Sequence, residues 1–163
     1  NRLELRICDL IINPLDLLAI TALLEARLLQ LINDPSLDPL VQSHLPTSTR
    51  ADDLVTLAME NEAAVARDSL AATLKHWQDG RIITAKAWLE EQYQILWPIA
   101  HRYGFSCFLA PIKRILQTGN EAQKWLSLYD RGYSVEDIIA EAITTAQQQE
   151  QALTEELCLP CAA

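Results

Sequence analysis

The sequence predicts a mainly α-helical chain with a short β contribution, an amino-terminal strand plus a hairpin. Three observations carry that prediction. Apolar residues recur at helical spacing over most of the chain, between recognisable start and stop signals. Residues 3–9, Leu-Glu-Leu-Arg-Ile-Cys-Asp, instead alternate in the two-residue period of a strand. Residues 73–84 change period again around Asp79-Gly80, the dipeptide of a tight turn.

The first strand is taken as residues 2–11. It sets Leu3, Leu5 and Ile7 on one face and Arg2, Glu4 and Arg6 on the other. Neighbours on a face lie roughly 7 Å apart along a strand, so a carboxylate falls between guanidinium groups. Two readings stay open. Either the charges pair with one another on a solvent-facing strand, or they floor a polyanion site. The strand also has no obvious partner, and an unpaired edge is a liability. That implies further sheet from an amino-terminal part of the protein not contained in this chain.

The helices follow in order. Asn13-Pro14-Leu15-Asp16 supplies an N-cap, a proline at the first helical position and an acid facing the dipole. The helix it opens runs to about Asn33, where Asp34-Pro35 ends it, and is apolar almost all round, so it needs covering on several sides. Residues 34–50, rich in proline, serine and threonine, read as a surface loop. A second helix covers roughly 51–68, with Leu54, Leu57, Ala58, Met59 and Val65 inward. After the hairpin, residues 85–102 return to helical period with Trp88, Leu89, Gln92, Ile95, Leu96 and Ile99 inward, and Pro98 is expected to kink or split them. Gly104 closes that segment, Pro111 opens a short helix to about 117, and a further helix spans 121–129 until Arg131-Gly132. Ser134 and Asp137 form a capping pair for the last helix. Its stripe is Val135, Ile138, Ile139, Ala142, Ile143 and Ala146, fading into the glutamine run near 150. Residues 1–150 are taken as the folded part and 151–163 as a flexible tail.

Composition narrows the function. The 163 residues are half apolar, enough for a real core. A net charge of −9 without a basic cluster speaks against a nucleic-acid partner. The most apolar run, residues 15–33, is interrupted by Asp16, Glu25, Arg27 and Gln30, which speaks against a membrane span. Four irregularly spaced cysteines and the lack of a signal-peptide pattern point to a reducing, cytoplasmic setting. His44, His76 and His101 are isolated from one another and from cysteine at ligand spacing, and read as surface or core histidines. Cys158 and Cys161 form a single C-x-x-C after a helix end; a disordered tail and a reversible disulfide both remain open.

Several words in order along the chain add more. LELRICDL at 3–10, ALLEARLLQLI at 22–32, ENEAAVARDSL at 60–70, DGR at 79–81 and GFSCFLAPIKRIL at 104–116 resemble the carboxyl-terminal part of cyanobacterial-type glutamate–cysteine ligases. These belong to the wider glutamate–cysteine ligase/carboxylate–amine ligase family, whose α+β catalytic domains are similar to glutamine synthetase. A complete member would be more than twice this length, so the resemblance implies a carboxyl-terminal fragment that is inactive alone. It implies an ATP-dependent ligase joining the γ-carboxylate of glutamate to the amine of cysteine through an acyl phosphate, the first step of glutathione synthesis. It assigns Glu4 to Mg²⁺ and Arg6 to the transferred phosphoryl group, chemistry that suits a carboxylate on a hard cation and a planar fork on phosphate. Asp9 fits the family pattern, but its place past the working face also suits a turn or capping role. Glu60, Asn61 and Arg67 match a word near the nucleotide end of the cleft, against the alternative of solvated helix charges. There the chain has Arg67-Asp68-Ser69-Leu70 where the family pattern has an aromatic and a glycine before the leucine. Arg81 after the hairpin turn is either a phosphate contact or a solvated arginine. A ligase with another amine substrate, and a non-catalytic helical interaction module, are the competing readings.

Overall fold

The computed structural model describes residues 11–158, with side chains to Glu155. Residues 2–10 of the expected strand, with Glu4, Arg6 and Asp9, lie outside the described residues, as does Cys161; residues 11–13 belong to no regular element. The described chain is mainly helical with one antiparallel two-stranded sheet. In order it forms α1 (Pro14–Asn33), a 3-10 turn (Pro35–Leu37), α2 (Pro39–Gln42), α3 (Arg50–Asp68) and a second 3-10 turn (Ser69–Ala71). Strands β1 (Thr73–Lys75) and β2 (Ile82–Thr84) follow, then α4 (Ala85–Arg102), a 3-10 turn (Ser106–Leu109), α5 (Ala110–Thr118), α6 (Glu121–Asp130) and α7 (Val135–Cys158). The described residues fall into two compact units, one of Ala19–Asn120 and one joining residues 11–18 to residues 121–158.

The larger unit is built on α4. Tyr93, Leu96 and Ala100 of that helix meet the small residues Ala19, Ala22 and Ala26 of α1, which let the helices approach closely, and Leu109, Ile112 and Ile115 beyond. The expected inward face of α4 departs at Ile95 alone: Leu96 is buried, and Trp88, Leu89, Gln92 and Ile99 are half-buried. Ile95 is 47% exposed while Leu96 is 1% exposed, because the seam runs Ala85, Leu89, Tyr93, Leu96, Ala100. Pro98 does not split the helix, which is continuous through it. Both Pro98 and Gln94 are exposed, so the carbonyl that loses its partner faces water.

A second cluster, Ala72, Leu74 and Ala85 with Ala64, Ile83 and Trp88, seats the hairpin against α3 and α4. Cα partners are Thr73 with Thr84, Leu74 with Ile83 and Lys75 with Ile82. On α3 only Leu57 is buried, with Leu54 half-buried; Ala58, Met59 and Val65 face out, contrary to the expected face. The helix is covered on the one side that carries Leu57, Asn61 and Ala64. Likewise α1 is covered mainly along its alanines, and Leu15, Leu17 and Ile32 stay exposed. The loop 34–50 is more ordered than its composition implies: Asp34 and Asp38 each cap a short turn, accepting from Ser36 N–H and Leu40 N–H.

At the hairpin turn, Gly80 has φ +73° and the site of its missing Cβ lies 2.8 Å from His44 Nε2. His44 cannot move freely, since its Nδ1 contacts the Trp77 carbonyl at 3.3 Å and its N–H donates to the Gln78 carbonyl at 2.9 Å. Gly80→Ala is expected to cost about 1–2 kcal/mol in denaturant unfolding. Adding His44→Ala should restore the clash component and leave the backbone component.

In the smaller unit, the Ser134–Asp137 box forms as expected: Ser134 N–H and Oγ donate to Asp137, and Asp137 N–H donates to Ser134 Oγ at 3.1 Å. Gly132, at φ +91°, ends the preceding turn. Ile138 and Ala142 are buried, but Val135, Ile139 and Ile143 are exposed. Helix α7 does not fade near 150 but continues to Cys158, across glutamine, glutamate, alanine and leucine, all good helix formers.

Candidate functional site

Glu4 and Arg6, the residues the family resemblance singles out, lie outside the described residues. Arg67 sits exposed in the last turn of α3, with Nη2 and Nε donating to Asp68 Oδ2 at 2.8 and 3.0 Å. That hydrogen bond raises its pKa above the ordinary guanidinium value. Asn61 has a definite task. Its Oδ1 accepts from Lys75 N–H at 3.0 Å and its Nδ2 donates to the Lys75 carbonyl at 2.9 Å, so it pairs with β1 as a further strand would. Glu60 is exposed beside it.

The densest group of interacting side chains surrounds the hairpin turn. His76 is 5% exposed, between Trp77 and Trp88 with ring centroids at 5.6 and 5.1 Å. Its Nδ1 accepts from Gln78 N–H at 3.2 Å and lies 3.3 Å from Asp79 Oδ1. The contact with Asp79 resembles an ion pair, yet burial first and Arg81 second lower the His76 pKa, so the ring is neutral at pH 7. Arg81 is held from both sides, by Asp79 at 2.6 Å from the turn and by Glu91 from α4. These bonds raise the Arg81 pKa and lower that of Asp79. Arg81 is thus neither free for phosphate nor merely solvated. The group borders an open pocket of about 280 Å³ lined by residues of α1, α4 and the turn, with Leu37 and Gln42.

The depressed His76 value sets the sign of a pH effect. The unfolded ring takes a proton near its ordinary 6.5, before the folded ring does. His76 therefore contributes stability that is complete above pH 6.5 and lost as pH falls toward the folded value. Asp79, Arg81 and Glu91 are the charged groups facing it. Urea unfolding followed between pH 7.5 and about 5 should show this decline, and His76→Phe should flatten the slope whatever its absolute stability.

His44 and His101 have local partners, the latter a 3.5 Å contact from Nδ1 to Ser106 Oγ. Among the described residues no three histidine, cysteine or acidic side chains come together as a metal site. No helix among them is long and apolar enough to cross a membrane. Sequence reasoning noticed Arg27 and Gln30 only as interruptions of an apolar run and passed over Glu91. Two polar residues one turn apart in an aliphatic helix were the available signal.

The mainly helical scaffold with its small hairpin carries the ordered words that resemble the carboxylate–amine ligase family. The family model of glutamate–cysteine ligase family 2 matches residues 1–158, and the chain belongs to that family. No curated protein and no solved structure matches it.

Proposed function

We propose that this chain is the carboxyl-terminal part of an ATP-dependent glutamate–cysteine ligase of cyanobacterial type, acting in the cytoplasm. The observation that carries the reading is the family match over residues 1–158, in which the acid and base of LELRICDL stand at its start. In the proposed reaction the γ-carboxylate of glutamate attacks the γ-phosphorus of ATP and ADP leaves. The cysteine amine then attacks the acyl phosphate, phosphate leaves, and the amine proton is lost as the amide forms. Such chemistry rests on positioning and on neutralising charge. Glu4 is proposed as a Mg²⁺ ligand, Arg6 as the phosphoryl contact and Arg67 as a nucleotide-side contact. The remaining metal and substrate ligands are assigned in this proposal to an amino-terminal part of the parent, so the chain alone is expected to be inactive.

Exposed apolar side chains support a missing neighbour: Leu17 and Ile32 on α1, Val55 and Met59 on α3, and Ile139 and Ile143 on α7. Isolated exposed leucines are ordinary, whereas Val55 with Met59, and Ile139 with Ile143, stand one helical turn apart and each form a short apolar strip that suits cover by a further segment. The test is ADP formation by the full-length gene product with each substrate omitted in turn. Turnover requiring glutamate and cysteine together supports the proposal. Turnover with glutamate and a different amine assigns the enzyme to another ligation, and no turnover with any amine overturns it.

A further inference from the structure

Helix α7 carries two seams of similar spacing, one residue apart. Ile138, Ala142, Thr145 and Gln149 form the inner one. Ile138 and Ala142 are buried, and the four line a pocket together with Trp125 and Leu128 of α6. One residue further on, about 100° round the helix, stand Ile139, Ile143, Ala146, Glu150 and Leu153. Their steps of four, three, four and three residues are those of a coiled-coil seam. Ile139 is 51% exposed and Ile143 54%, so the outer seam is open among the described residues. From Ile139 to Leu153 it runs about 21 Å at the rise of a helix, long enough to lie along a partner helix of similar length.

The charge on α7 has a single sign. Its acids are Glu136, Asp137, Glu141, Glu150, Glu155 and Glu156, and no lysine, arginine or histidine lies between Val135 and Cys158. Helices α1 and α3 also expose apolar residues, but they carry Arg27, and Arg50 with Arg67, among their acids. Glu150 sits within the outer seam itself and is exposed. Covering it with an apolar surface would strand a carboxylate, whereas a cation opposite would satisfy it. A lysine or arginine can lay its stem along the isoleucines and still bring its head to that carboxylate. A second copy has no such cation on its own α7, and two chains of net charge −9 repel each other. A field of one sign also speeds the encounter of separate molecules, a help that a segment tethered in the same polypeptide does not need.

We propose that the outer seam of α7 docks a basic amphipathic helix of a separate polypeptide, its apolar stripe on Ile139, Ile143 and Leu153 and a lysine or arginine facing Glu150. The inference stands apart from the ligase reading, because docking needs neither ATP nor turnover.

The test uses the 163-residue chain and a fluorescein-labelled synthetic peptide of about three heptads. The peptide has isoleucine and leucine at its seam positions, one lysine among them, and lysines on its other faces. One control scrambles the same composition out of helical register, and the other replaces every lysine by glutamate. Anisotropy is read at about 0.15 M salt, where screening leaves mainly close contacts. The basic peptide in register is expected to bind with a Kd of about 10 μM or tighter, at least about tenfold above either control. Ile139→Ser combined with Ile143→Ser changes exposed positions only, so circular dichroism should be unaltered while binding weakens about tenfold or more. Glu150→Lys should weaken the basic peptide about fivefold and strengthen the acidic control. The scrambled peptide binding as tightly overturns the proposal. So does an unchanged affinity in the folded double serine variant, or no anisotropy change by about 100 μM. A dimer in sedimentation that the double variant abolishes would assign the seam to a second copy. Exclusion of the peptide by the full-length parent would assign it to internal cover. Either of these results also overturns the proposal.

Discussion

Leu96→Ala is expected to destabilise the chain by about 3–4 kcal/mol, the cost of a poorly collapsing cavity in a packed core. Leu96 is 1% exposed and lies where α1, α4 and α5 share one cluster. Its neighbours there include Ala19, Ala22 and Ala26, which are too short to reach into the space a lost isobutyl group leaves. A loss of that size is a large fraction of the stability of an ordinary domain, so the unfolding midpoint in guanidinium should fall sharply. Ile95→Ala is the control. That side chain is 47% exposed, and its truncation should cost less than about 1 kcal/mol. Equal effects at the two positions would mean that α4 is rotated from the orientation described here.

The same pair of residues shows where sequence reasoning stops. Helix existence was legible from chemistry that acts locally. Asn13 Oδ1 accepts from Leu15 N–H at 2.9 Å, Ser134 and Asp137 cap each other, and Gly104 and Gly132 end helical segments. The turn at Asp79-Gly80 was equally visible, since Gly80 adopts the positive φ that such a turn demands. Which face of a helix is inward depends instead on its neighbours. An apolar helix such as α4 offers several stripes with similar hydrophobicity, and the alanines of α1 select among them through close approach. Asn61 belongs to the word matched to the nucleotide end of the cleft, with a solvated helix face as the alternative, yet its amide completes the edge of β1, a partnership 14 residues away that no local signal announces. Ser69 is the opposite case. It has φ +53° and ψ −132°, a backbone state that favours glycine, at the position where the resemblance implies a glycine. The departure therefore left the backbone turn in place, and Asn120 Nδ2 donates to the Ser69 hydroxyl at 2.7 Å. The cavity beside the hairpin was not legible at all, because Arg27, Trp77 and Glu91 come from separate elements.

On the proposed ligase reading, Glu4→Gln and Arg6→Ala in the full-length parent are each expected to reduce kcat by about 10²–10³-fold, the size of one electrostatic contact removed from a transition state. Glutamine keeps the volume of glutamate but lacks the negative oxygen a hard cation prefers. Alanine removes the fork that meets phosphoryl oxygens, and Arg6→Lys should recover part of the loss through charge alone. A residue that merely paired charges on a solvent-facing strand would move stability by under about 1 kcal/mol and leave turnover in place. Retained circular dichroism with lost kcat therefore separates the two readings of the strand. Arg67→Ala supplies the contrast. Its guanidinium is exposed and already engaged by Asp68, so its loss should raise KM for ATP by no more than about fivefold, the scale of an exposed ion pair, without lowering kcat. Normal turnover in both Glu4→Gln and Arg6→Ala would remove these residues from the reaction and return the strand to a surface role.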